Sequence, residues 1–303
     1  MSAAAGLSAV QVDSFCSEGY VVCKQLLPAE LVQSWRSQFW GLLDCSPDEP
    51  SRWPEAAGHH ETDIYTTEAR ERLSYPWADV AEGSAGPAVD LFPVRPCLDE
   101  LPQVRAVVDQ LLGAGRWCSG QRPGSEELDT VIFRWPRAPS TPPSALPTTG
   151  HVEGGNRAKG GWKGSFALGA IAYWNRVGPR GGGTVIWPRS HLAAHEYLCE
   201  HPDRLVTASG VAEAAIAAAQ ATELTMDSGD VCFWHHWLVH QPGPAPEPGT
   251  RPREAIFGRW HHDPLLVDRY DIGGIRTDGN LWKHYGIDRD SQRSRAACNV
   301  ARL

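Results

Sequence analysis

The chain has 303 residues, of which 42% are hydrophobic and 21% charged, and its formal net charge is -8. That length supports a sizeable core, and the apolar and aromatic content excludes wholesale disorder. The acidic balance, with no basic stripe, excludes a surface built to neutralise phosphates, so nucleic acid is not an expected partner.

With 30 Gly and 24 Pro, the composition predicts many turns. Ser8 is placed to cap a helix that stops at Gly19, and a strand-like run follows from Tyr20 to Cys23. A second helix starts near Ala29, where Leu31, Val32, Trp35, Phe39 and Leu42 recur at near-helical spacing and mark one apolar face. From Ser46 to about Cys97 the periodicity is lost among Pro, Ser, Gly and charged residues; an irregular segment of this length is either disordered or a lid-like cover. A third helix is expected from Leu98 to Leu112, ended by Gly113.

Beyond that point the texture becomes strand-like. Thr130 to Trp135, Phe166 to Trp174, Thr184 to Trp187, Glu223 to Met226, Val231 to Trp234 and Ala255 to Trp260 are short runs rich in β-branched and aromatic residues, separated by Gly and Pro clusters. Such spacing suggests an antiparallel sandwich or jelly roll. One helical interruption, His191 to roughly Ala221, divides the strands. We expect a single domain: helices and the irregular segment in 1–127, a strand-rich core in 128–262 and a C-terminal extension in 263–303.

Eight cysteines are scattered without a C-x-x-C pair, which argues for buried free thiols and against a zinc knuckle or redox dithiol. The N-terminus lacks a signal-type leader and no run reaches the roughly 20 apolar residues of a membrane span, so a soluble, cytoplasmic protein is expected.

The residues that point to chemistry start with His151 and Glu153. At i and i+2 of an extended chain an imidazole and a carboxylate share a face and can converge on one metal ion. His240 is the candidate third ligand. It ends the run from Asp230, after which the proline-rich segment Gln241 to Gly249 cannot ladder. The strand that follows returns the chain toward His240 and brings Arg251 or Arg253 near it; strand parity leaves both open. Two His and one carboxylate, with coordination positions left open, suit a non-haem Fe(II) oxygenase. A nearby Arg can hold an anionic cosubstrate through its carboxylate.

His151-x-Glu153, then Gly181-Gly182-Gly183-Thr184 through His191, then Gly229-Asp230-Val231 leading to His240, then Arg253-Glu254-Ala255-Ile256, occur in an order that resembles the phytanoyl-CoA dioxygenase-like branch of the Fe(II)/2-oxoglutarate oxygenases. The opening from Phe15 to Leu27 is similar to that family's first helix and strand, and the resemblance spans residues 10 to 262. It implies a mainly β fold with flanking α-helices, a double-stranded β-helix (jelly roll, cupin-like) barrel with N-terminal helices. It also implies Fe(II), with His151, Glu153 and His240 as its ligands, 2-oxoglutarate as cosubstrate and O2 as oxidant. Arg253, followed by Ala-Ile as in the family, is then the residue for the distal carboxylate of 2-oxoglutarate, with Arg251 as fallback. The family's usual carboxylate ligand is Asp, and here it is Glu; Gly or Ala there would have suggested a halogenase.

The implied reaction is oxidation of a small molecule, by hydroxylation, with release of succinate and CO2. Arg134, Asn156, Arg157 and Trp174 are candidates for the substrate pocket, and Trp135, Trp162, Tyr173, Trp187 and Trp234 are further candidate lining residues. Competing readings are a non-catalytic metal-binding jelly-roll protein that holds a small ligand, and a metal-dependent hydrolase, for which no extra carboxylate is available as base. His191 and His195 stand at i, i+4, but His-Leu-Ala-Ala-His lacks the glutamate of a metalloprotease helix. The adjacent pairs His235-His236 and His261-His262 are expected on opposite strand faces, and His59-His60 in the irregular segment.

Overall fold

A computed structural model describes residues 6–43, 45–53, 61–63, 96–115, 117–119, 130–136, 145–152, 167–201, 210–217 and 219–262. Helix α1 (Ala9–Glu18) begins at a capping box, with Ser8 accepting from the Gln11 N–H, and ends at Gly19. Strand β1 (Tyr20–Cys23) follows, then α2 (Ala29–Leu42). The expected third helix is shorter than its periodicity suggested. Leu98–Glu100 form one 3-10 turn, and α3 runs Pro102–Leu112, because Pro102 lacks an N–H and fits only the first turn of a helix.

The strands are β2 (Glu61–Asp63), β3 (Trp117–Ser119), β4 (Thr130–Arg134), β5 (Leu168–Tyr173), β6 (Val185–Ile186), β7 (Thr222–Glu223), β8 (Val231–His235), β9 (His240–Gln241) and β10 (Arg253–His262). Two helices, α4 (Ser190–Glu200) and α5 (Val211–Ile216), stand where one helical interruption was expected. A large sheet runs β1-β8-β5-β10-β4-β2, with β3 also on β10; a small one runs β7-β6-β9. Every pairing is antiparallel. The fold is therefore mainly antiparallel sheet with helices, and the segment 46–97 contributes, among the described residues, one 3-10 turn and β2.

Side-chain alternation gives the large sheet two different faces. Leu168, Ala170, Ala172, Val231, Phe233, Ile256 and Trp260 join Phe15, Trp35, Phe39 and Val108 of the helices in one core. The alternate residues Ile171, Tyr173, Cys232, Trp234 and Ala255 share a second core with Ile186, Leu224 and Leu238 from the small-sheet side. Helices α4 and α5 cover the other side of the small sheet, where Val185 and Val239 meet Ala194, Leu198 and Val211. The layers are thus helix, large sheet, small sheet and helix, and an inner face lies between the sheets.

Trp135 and Trp174 belong to the helix side. Trp174 is fully buried and its ring packs 5.9 Å from Trp35 and 6.0 Å from Phe133. Its expected place in a substrate pocket is therefore corrected to core packing, because it follows Tyr173 and alternation turns it away from the inner face. Cys23, Cys97 and Cys232 are buried, and Cys16, Cys45 and Cys118 are part-buried. No helix among the described residues is long and apolar enough to cross a membrane.

His191 of α4 is 1% exposed and its Nε2–H donates to the Cys16 carbonyl at 3.1 Å, which ties α4 to α1. Burial pushes this imidazole down to about 4. The unfolded chain takes up this proton below about pH 6.5 while the folded chain resists it, so the associated stability is complete above pH 6.5 and is lost as pH falls toward 4. In urea unfolding at pH 7 and pH 4.5, His191→Gln is expected to lose about 2 kcal/mol less than the wild type over that interval. Equal losses would contradict the assignment.

Candidate metal centre

His240 reaches the inner face because β9 is anchored on both sides. Its Cα pairs with Ile186 of β6, and its backbone exchanges two 3.0 Å hydrogen bonds with His151 in an isolated antiparallel bridge. Gly150 lets that bridge form: a Cβ there would lie 2.7 Å from Val239 Cγ1 and 2.8 Å from the Trp187 ring. Direct partners in an antiparallel bridge present side chains to the same face, and the His151 and His240 ring centroids are 4.4 Å apart.

The tautomers follow from the acceptors. A carbonyl can only accept, so His240 Nδ1 carries the proton it shares with Leu238 O at 2.9 Å, and Nε2 holds the lone pair. His151 Nδ1 lies 3.2 Å from Gln241 Oε1, which sets the same tautomer in the second ring. A ligand nitrogen about 2 Å from a metal puts two rings at right angles roughly 4.5 Å apart, so this spacing fits two imidazoles sharing one ion. Among the described residues no third His, Cys, Asp or Glu completes a metal-binding group. Glu153, two residues beyond His151, lies outside the described residues, as do Asn156, Arg157 and Trp162.

Arg253 and Arg251 have different surroundings. Parity was expected to put them on one face, but β10 starts only at Arg253, where Asn175 clamps the chain by donating to Pro252 O at 2.7 Å and accepting from the Glu254 N–H at 3.1 Å. Arg251 precedes the strand, is exposed, and pairs with Asp48 at 2.6 Å. Arg253 is 2% exposed, shares the inner face with Ala255, and donates from Nη1 to Gly182 O at 3.2 Å. Arg134 of β4 is its direct cross-strand partner and hence on the same face. An aromatic run links the two ends of the site. Trp234 stands 5.4 Å from the His240 ring and 6.4 Å from Phe257, whose ring lies 5.8 Å from the Arg253 guanidinium.

The loop over Arg253 is the Gly181-Gly182-Gly183-Thr184 segment. Glu223 accepts from the Gly183 N–H at 2.9 Å and from the Arg180 N–H at 2.7 Å, and Thr184 N–H donates to the Tyr173 hydroxyl at 2.8 Å. A Cβ on Gly183 would stand 2.2 Å from Leu224 O, so only glycine lets this strand-like backbone lie against β7. Gln241, the Leu238 carbonyl and the Gly182 carbonyl had no signal in the sequence, since each acts through a contact made only in the folded chain.

Other histidines hold structure. His235 and His236 were expected on opposite faces, but β8 ends at His235 and the chain turns, so their rings stack at 4.4 Å. His235 Nδ1 accepts from the Trp237 N–H at 3.1 Å, and His236 Nδ1 donates to Ala167 O at 3.1 Å.

Residues 15–252 match the phytanoyl-CoA dioxygenase (PhyH) family. No curated protein matches the chain in sequence. Among solved structures, HygX from Streptomyces hygroscopicus with nickel and 2-oxoglutarate bound is 12% identical, covers 85% of this chain and 88% of its own, and has a TM-score of 0.46. The non-heme alpha ketoglutarate dependent carbocyclase SnoK from nogalamycin biosynthesis is 15% identical, with coverages of 91% and 90% and a TM-score of 0.46. EctD from S. alaskensis with 2-oxoglutarate and 5-hydroxyectoine is 14% identical, with coverages of 84% and 76% and a TM-score of 0.45.

Gly183→Ala is expected to lower stability by about 1–3 kcal/mol in urea unfolding. Gly178→Ala, where a Cβ meets nothing within 4 Å, is expected to be near neutral. Equal effects at the two positions would show that the close approach at Gly183 does not constrain the loop.

Proposed function

The chain belongs to the phytanoyl-CoA dioxygenase family, and on that premise we propose that it is a non-haem Fe(II)- and 2-oxoglutarate-dependent oxygenase that hydroxylates a small molecule. The observation that carries this reading is the pair of imidazoles 4.4 Å apart on the same inner face as the buried Arg253. We read the two sheets as the walls of a jelly roll, the double-stranded β-helix, with the ligands on one wall and the arginine on the other.

In this reading His151 and His240 would hold Fe(II) through Nε2, and Glu153 would supply the carboxylate. Bound iron, 2-oxoglutarate and O2 supply the oxidising chemistry and yield succinate and CO2. Gln241 and the Leu238 carbonyl orient the two rings before the ion arrives, which keeps both lone pairs aimed inward. Arg253 takes the distal carboxylate of 2-oxoglutarate. Gly182 O holds one of its nitrogens, so the guanidinium is placed in advance and little side-chain entropy is lost on binding. Buried aromatic walls such as Trp234 exclude water from the reacting end. Arg134, beside Arg253 on the neighbouring strand, faces the substrate side, with Asn156 and Arg157 as further contacts.

Anaerobic loading with Fe(II), followed by 2-oxoglutarate, O2 and candidate small molecules, is expected to give substrate-dependent succinate. His151→Ala or His240→Ala should weaken Fe(II) binding by at least roughly a hundredfold. Arg253→Ala should raise the 2-oxoglutarate requirement about tenfold or more, with Arg251→Ala unchanged. The reverse order of the two arginine variants would move the cosubstrate to the other arginine. Absence of succinate with tightly retained metal would favour a ligand-binding protein.

A further inference from the structure

Trp234 lies next to last in β8 and is 4% exposed, with its ring 5.4 Å from that of His240. Its two cross-strand partners are Gly169 of β5, which has no side chain, and Tyr20 of β1. Direct partners in an antiparallel pair share a face with Cβ atoms about 5 Å apart, so the phenol of Tyr20 is the side chain beside the indole in that row. Tyr20 packs against the same inner core as Trp234, yet it is half-buried, because β1 is the edge of the large sheet among the described residues. A row of rings, imidazole, indole and phenol, therefore runs from a candidate metal ligand to the surface.

Indole and phenol are the aromatic side chains that give up an electron most readily. We propose that Trp234 and Tyr20 form an outlet that carries oxidising equivalents from the metal centre to solvent when 2-oxoglutarate is consumed with no substrate in place. This rests on the reading of the centre as one for Fe(II) and 2-oxoglutarate. Such a cycle turns 2-oxoglutarate, O2, two electrons and two protons into succinate, CO2 and water, the protons coming from solvent. Trp234 passes each electron inward; Tyr20 refills the indole and releases its phenolic proton to water. A soluble reductant, an enediol or a thiol, then restores Tyr20 by returning one electron and one proton. Trp234 is too deeply buried for such a reductant to reach, and the half-buried phenol supplies that access. Burial is the largest influence that raises the Tyr20 phenol, so the group is neutral before it is oxidised. Cys232 shares the face two residues before Trp234, but burial pushes its thiol up, so no thiolate competes for the role.

The test gives the Fe(II)-loaded protein 2-oxoglutarate and O2 without substrate and reads it by freeze-quench electron paramagnetic resonance and peptide mass spectrometry. The wild type is expected to show a tyrosyl radical and, without a reductant, to gain oxygen on Tyr20; ascorbate should suppress both. Tyr20→Phe is expected to lose the radical at unchanged 2-oxoglutarate consumption and to gain one oxygen atom on Trp234 instead, with or without ascorbate. Trp234→Phe is expected to lose the Tyr20 radical, and if that variant does not fold, Tyr20→Phe alone decides. A wild type that binds 2-oxoglutarate without consuming it, or consumes it with neither radical nor oxygen on Tyr20, overturns the outlet alone, as does a radical that survives in Tyr20→Phe. A protein that neither binds nor consumes 2-oxoglutarate overturns the reading of the centre with it.

Discussion

Strand β10 buries two opposite charges in succession, Arg253 and Glu254, and the rest of the architecture depends on sending them to opposite faces. A slip of one residue would exchange them, placing a carboxylate on the inner face and a guanidinium among the helices. Two clamps prevent it. Asn175 bonds the backbone on either side of Arg253, and Glu254 receives Arg36 of α2 in a two-pronged ion pair, with Nη2 to Oε1 at 2.9 Å, plus the Trp40 N–H at 3.3 Å. The carboxylate in turn holds the Arg36 guanidinium above its ordinary range. Removing one member of such a pair costs about 3–5 kcal/mol, because the other charge stays buried. The N-terminal helix layer therefore fixes the register that delivers Arg253 to the inner face.

The second dependence is the backbone bridge between His151 and His240. Neither residue belongs to a long strand, so two 3.0 Å hydrogen bonds, the Ile186 pairing and the Val239 N–H to Ser190 Oγ bond at 2.8 Å hold β9 in place. Val239 and the Trp187 ring pack against Gly150 beside the bridge, which buries His240 and leaves His151 exposed. The same economy appears in the loop of Gly182 to Thr184, whose backbone meets an arginine of one strand and a tyrosine of another.

Much of the framework was legible because alternation and helical spacing are local. The α2 face, the strands β5, β8 and β10 and the capping of α1 by Ser8 follow from residue type and period. What was not legible depends on partners remote in sequence. Nothing near Arg251 announces Asp48, and nothing near Arg253 announces that Pro252 and Asn175 set the strand's first residue. The stacking of His235 on His236 reflects a strand ending one residue earlier than parity assumed. Trp174 was misplaced because an aromatic at a strand end reads alike for core and pocket until its face is known.

The most direct measurement is an anaerobic crystal structure of the protein with Fe(II) and 2-oxoglutarate. The account predicts one ion bound by Nε2 of His151 and His240 and by Glu153, with the distal carboxylate of 2-oxoglutarate on Arg253. An ion elsewhere, or a carboxylate held by Arg251 at the surface, would contradict it.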